Sequence, residues 1–184
     1  MLHYLPENVP EYSACYAEEE ETVATKTDKQ NPMHQAVGFL ARRDHSVYEL
    51  AQKLLKKGHE AATIQQVVED LKTKGYLDDR RYAEMMLRHH YGRGQGPQKI
   101  RHLLNQQCVA QTVIHEIFSD FQEDWCVLAE AVRARRFGNQ LTASDRQARY
   151  KEKSKQMRFL MARGFESEHI QYAMNSLEEY GETL

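Results

Sequence analysis

Ile64-Gln65-Gln66-Val67-Val68-Glu69-Asp70-Leu71 sets four apolar residues at i, i+3, i+4 and i+7, a spacing that gathers them on one face of an α-helix. The spacing returns at Ile170, Ala173, Met174 and Leu177. Between the two, Val113, Ile114, Ile117, Phe118 and Phe121 form a slightly broader stripe. No stretch of similar length alternates with period two, so the sequence predicts an all-α fold.

The three stripes belong to one repeat. A slide of 49 residues lays Leu103 and Leu104 on Leu54 and Leu55, Val113 on Ile64, and Ile117 on Val68. A slide of 106 lays Leu160 on Leu54, Gly164 on Gly58, Ile170 on Ile64, Met174 on Val68 and Leu177 on Leu71. Each unit reads as a helix, then a helix–turn–helix pair. The leading helices are expected over about 33–43, 78–91 and 123–137, and the repeats over 33–77, 78–122 and 123–184.

Local punctuation agrees with this division. Ser46 with Glu49, and Ser144 with Gln147, read as capping boxes. Gly58 and Gly164 stand where a helix ends and the backbone turns left-handed, while Gln107 takes that place in the second repeat. Pro97 suits a first helical turn, where its missing N–H removes no hydrogen bond. The third repeat carries extra residues around Gly138 to Asp145.

The net charge of −2 hides a segregation. Residues 1–32 hold seven acids, including Glu18 to Glu21, against Lys26 and Lys29; they show no helical or strand period and read as a disordered acidic extension. Residues 133–163 hold ten bases against Asp145 and Glu152. Acids that would alternate with bases on a merely solvated helix are nearly absent there, which points to a binding surface for DNA phosphates or an acidic protein groove. Its bases are Arg133, Arg135, Arg136, Arg146, Arg149, Lys151, Lys153, Lys155, Arg158 and Arg163. Few aromatics interleave with them, so stacking of single-stranded bases is not indicated.

Two further stretches stand out. Gly75-Tyr76-Leu77-Asp78-Asp79-Arg80-Arg81-Tyr82-Ala83 reads as a helix–helix junction. Gly75 ends one helix, Tyr76 and Leu77 plug the gap between units, Asp78 caps the next helix, and Asp79 in its first turn complements the dipole. Arg81 and Tyr82 complete the joint. Gly92-Arg93-Gly94-Gln95-Gly96-Pro97 has the glycines of a phosphate loop but lacks its preceding strand and its Gly-Lys-Ser/Thr ending. It reads as a flexible joint whose rim, Arg93, Lys99 and Arg101, is available to an acidic partner or to nucleic acid.

Other classes find little support. Nine histidines show no HExxH and no Cys/His ligand spacing, so neither a metal nor another cofactor is expected. No Ser/His/Asp arrangement or nucleophile elbow marks an enzyme. Trp125 reads as a core or junction anchor. No apolar run approaches a membrane span and no signal peptide is evident. Cys15, Cys108 and Cys126 leave one thiol unpaired in any bridging scheme, which fits a reducing cytoplasm.

Three segments, Gly75–Ala83, Gly92–Leu104 and Lys155–Phe165, in this order and at these spacings resemble the RecX family over residues 33–180. The resemblance implies an elongated crescent of three tandem three-helix repeats. It implies a monomeric, non-enzymatic modulator that binds the RecA–DNA filament. There it would inhibit ATPase, strand-exchange and co-protease activities, and so regulate recombination, DNA repair and the SOS response. By the same resemblance, the third repeat and the rim from Arg93 to Arg101 would meet the filament or its DNA. The alternative reading of the residues is a helix–turn–helix-like DNA-binding protein that acts without RecA.

Overall fold

A computed structural model describes residues 31–142 and 145–179. Among them are nine helices and no strand: α1 (Pro32–Leu40), α2 (Val47–Lys56), α3 (Ala61–Thr73), α4 (Asp79–Gly92), α5 (Pro97–Gln106), α6 (Gln111–Asp120), α7 (Trp125–Phe137), α8 (Arg146–Ala162) and α9 (Ser167–Glu179). The helical periodicity is therefore realised as three three-helix repeats, each around its own apolar core. Packing divides the chain into two compact units, one ending at Leu77 and one beginning at Asp78.

The first unit is α1–α3. Leu50, Leu54, Ile64 and Leu71 are buried at its centre with Ala36, and each large side chain contributes roughly 1.5–3 kcal/mol by leaving water. Asn31 caps α1 through Met33 N–H at 2.9 Å, so the helix begins at Pro32 rather than Met33 and ends at Leu40, short of the expected 43. Ser46 Oγ accepts Glu49 N–H at 2.9 Å, the expected cap of α2. The Glu49 carboxylate turns instead to Arg43 and Lys53.

The second unit holds the other two repeats, α4–α6 and α7–α9. Ala36, Ala83 and Ala129 occupy matching places, all fully buried, where the leading helix of each repeat crosses its pair. Arg80 clamps α4 to α6 through Glu116 at 2.7 Å and Asp120 at 2.8 Å.

The repeat register differs from the expected slide. Cys108, not Gln107, takes the left-handed turn, with φ 53°, as Gly58 and Gly164 do at 85°. The first two repeats are therefore offset by 50 residues. Leu54 matches Leu104, Ile64 matches Ile114, and Val67 matches Ile117, all buried. Paired apolar residues such as Leu103-Leu104 and Val113-Ile114 make offsets of 49 and 50 look equally good in sequence; only burial separates them.

One capping expectation also changes. Asp145 caps α8 by accepting Ala148 N–H at 2.8 Å, and Ser144 lies outside the described residues. The acidic stretch over 1–32 lies outside them too, apart from Asn31 and Pro32.

Candidate functional site

Helix α8 has 17 residues where α2 and α5 have 10 each. It extends at its N-terminal end, and the added turns carry Arg146, Arg149 and Lys151. Over its whole length the helix holds six bases and one acid, Glu152, which accepts hydrogen bonds from Thr142 N–H at 3.1 and 3.3 Å. Its Gln156 and Leu160 point into the core.

The helical period sorts the predicted bases of α8 into two sets. Lys151, Lys155 and Arg158, at i, i+4 and i+7, form an exposed outer row. Arg146 and Lys153 share a different stripe with Tyr150, Met157 and Met161. Arg149 is exposed between that stripe and the core side. Arg135 and Arg136 are exposed in the last turn of α7, where cations complement the helix dipole. Arg133 leaves the basic surface altogether: it is fully buried. Its Nη1 donates to the Gly138 carbonyl at 3.0 Å and burial lowers its pKa, with Glu130 opposing.

The glycine-rich stretch, expected as a flexible joint, is a docked one. Gly96 N–H donates to the Arg163 carbonyl at 2.8 Å and Gln98 N–H to the Gly164 carbonyl at 3.0 Å. Arg163 Nη1 returns to the carbonyls of Arg93 at 3.0 Å and Gly94 at 3.2 Å, and its guanidinium lies over Phe159. A Cβ on Gly164 would fall 2.5 Å from Lys99 backbone N. Arg101 pairs with Glu166 at 2.9 Å and covers the Phe118 ring at 4.2 Å. Arg101 and Arg163 thus join the second and third repeats, while Arg93 and Lys99 keep exposed side chains beside them.

Trp125 completes this joint. Its ring stacks near Phe118 and meets Tyr91 and Phe121 at 5.1 and 5.4 Å between centroids. Glu166, Glu168 and His169 bring ligand-type atoms within 4.8 Å of one another. Those atoms already have partners: Glu166 holds Arg101, and His169 Nδ1 accepts Glu166 N–H at 3.2 Å.

The Gly75–Ala83 junction is built as a helix stop and start. Gly75 has φ 72°, and the N–H groups of Tyr76 and Leu77 both donate to the Leu71 carbonyl. Leu77 folds back into the first core. Tyr76, in the same turn, is 60% exposed. Asp78 accepts Arg80 N–H at 2.8 Å and Arg81 N–H at 3.3 Å. Asp79 opens α4, Arg81 is exposed, and Tyr82 enters the second core.

One residue escaped the sequence reading. Gln156 is fully buried at the place held by Leu50 and Ile100 in the other repeats, and neither side-chain amide atom finds a partner among the described residues. The repeat alignment contained that signal, since a polar residue stands where two apolar ones precede it.

Three family models match the chain. "RecX, first three-helix domain" matches residues 33–71, "RecX, second three-helix domain" 78–116, and "RecX, third three-helix domain" 122–174. Among curated proteins, "Regulatory protein RecX" of Halorhodospira halophila is 41% identical over 144 residues, covering 78% of this chain and 86% of that one. The protein of the same name from Vibrio vulnificus is 40% identical over 140 residues, covering 76% and 88%. Among solved structures, RecX from Lactobacillus salivarius superposes with a TM-score of 0.66 at 17% identity, over 80% of this chain and 95% of that one.

Proposed function

Since the chain belongs to the RecX family, we propose that it binds the RecA–DNA filament and inhibits its ATPase, strand-exchange and co-protease activities without itself being an enzyme. The observation that carries the reading is α8, a helix lengthened at its N-terminal end and almost stripped of acids. A row of cations on a helix suits a polyanionic polymer, or an acidic groove between its subunits, and steers association with it. In this reading Lys151, Lys155 and Arg158 face the filament, with Arg146, Arg149, Lys153, Arg135 and Arg136 beside them. Arg101 and Arg163 serve by holding the repeats together.

Charge reversal at Arg146, Arg149 and Lys153 tests the assignment. Weaker inhibition of the RecA ATPase with unchanged helicity is the expected result, and undiminished inhibition by the folded variant removes these three residues from the interface. Tight, salt-sensitive binding to duplex DNA together with no effect on RecA would favour the helix–turn–helix-like DNA-binding alternative.

A further inference from the structure

Beside the cationic row, α8 presents a face of another kind. Arg146, Tyr150, Lys153, Met157 and Met161, at i, i+4, i+7, i+11 and i+15, lie along one stripe. Its C-terminal half opens into a groove of about 570 Å³ between α8, α9 and the start of α5, lined chiefly by Gln98, Met157, Met161, Phe165, Ile170 and Met174. Met157 is 43% and Met161 62% exposed. Two neighbouring exposed methionines over an apolar floor are an unusual use of surface, because such patches mark interaction sites. Unbranched, polarizable thioethers also adapt to apolar side chains of different shape.

We propose that this groove is a docking site for a partner protein's amphipathic helical segment. The segment would have apolar anchors at one end and Asp or Glu at the other. Its apolar residues enter among Met157, Met161 and Met174, and its carboxylates lie over Lys153 and Arg146. The length of the stripe argues for a segment rather than a small molecule: Arg146 to Met161 spans roughly 22 Å of helix, about four turns.

The sign of the partner follows from the surroundings. Six bases and one acid populate α8, and of the acids at the start of α9 Glu166 is paired with Arg101, while Glu168 lies 3.4 Å from His169. A second copy of this chain would bring an identical cationic face and be repelled. Nucleic acid matches the cations but leaves the methionines uncovered, having no apolar side chains to place on them. Arg146 and Lys153 are shared with the proposed filament surface, whereas the groove of Met157, Met161 and Met174 is not, so loss of peptide binding through the methionines and loss of RecA inhibition are read separately.

The test uses the full chain with its seven methionines carrying 13C at the ε-methyl, assigned by single substitution. Random peptides of about 16 residues, long enough for four helical turns, are selected on the protein and titrated into it. The expected peptides are acidic, carry apolar residues at helical spacing, and shift the methyls of Met157, Met161 and Met174 but not Met33. Affinity should fall roughly tenfold or more, about 1.4 kcal/mol, for M157E/M161E, and also for the milder M157A/M161A. Both changes sit on exposed positions, and circular dichroism checks the fold.

Failure to enrich any peptide overturns the proposal, as does enrichment without acids or equal binding to the double variants. So does a shift of the same methyls by a single-stranded oligonucleotide, which would make nucleic acid the occupant. Shifts that depend on protein concentration alone would make it a second copy.

Discussion

Gly96 and Gly164 meet backbone to backbone where the second repeat joins the third. A Cβ built on Gly96 would lie 2.3 Å from both the carbonyl carbon and oxygen of Gly164, and the Gly96 N–H is bonded to the carbonyl of neighbouring Arg163 at 2.8 Å. The two glycines are the condition for two cores to be held by main-chain hydrogen bonds rather than by side chains alone.

Gly96→Ala should therefore force the joint apart and destabilise the chain by about 3 kcal/mol, the upper range for overpacking. Gly92→Ala is the matched control. It sits at the end of α4 with nothing within 4 Å of the added Cβ, and should change stability by no more than about 0.5 kcal/mol. Urea unfolding of the two variants compares them; equal midpoints would show that the joint carries no packing.

Gln156→Leu should stabilise the protein by about 1–3 kcal/mol, because it removes a buried amide without partners and restores the apolar residue found at Leu50 and Ile100. Thermal unfolding reads the change. A loss of stability would mean that the amide is satisfied in solution, by water or by neighbouring residues.

Stability should fall between pH 7 and 5. Burial lowers the pKa of His45, against the Arg43 carbonyl and Glu49, which raise it, while Arg43 and Lys53 add to the lowering. His45 Nδ1–H donates to that carbonyl at 2.9 Å, and Nε2 accepts from Lys53 at 2.9 Å, so the folded ring is neutral. Burial lowers His90 in the same direction. The unfolded chain then takes up protons first, below about pH 6.5, so stability is full above that value and drains as pH falls toward the folded pKa. Each histidine can contribute a slope of up to about 1.4 kcal/mol per pH unit. His45→Gln should flatten part of the profile measured by urea unfolding; an unchanged profile would exclude His45 as a source.

Much of this architecture is legible in sequence because helical stripes and turn glycines are local signals. Ile64 to Leu71 declares its helix without help, and Gly58 and Gly164 declare their turns. The offset of 50 escapes because Cys108 adopts a left-handed turn that favours glycine, so nothing in its identity marks the place. The docked joint escapes for another reason. The Gly96–Gly164 contact spans 68 residues of chain, and alternating glycines read alone suggest freedom rather than close approach. Charge counting likewise finds the basic segment of the third repeat but cannot see that Arg133 is buried or that Arg163 is spent on the carbonyls of Arg93 and Gly94.

Reversing Lys151, Lys155 and Arg158 to Glu should weaken binding to the RecA–DNA filament by at least tenfold, more than 1.4 kcal/mol, and reduce its salt dependence. These residues are exposed on the outer row of α8, so helicity and melting temperature should stay as they are. Cosedimentation with filaments across a salt series makes the comparison; wild-type binding by the reversed variant would turn attention to the stripe of Arg146 and Lys153.

The most direct measurement is the RecA ATPase on single-stranded DNA, titrated with the full chain. A progressive fall in ATP hydrolysis is expected at less than one molecule of this protein per RecA subunit. Hydrolysis that stays constant through equimolar protein, with the chain folded and helical, would contradict it.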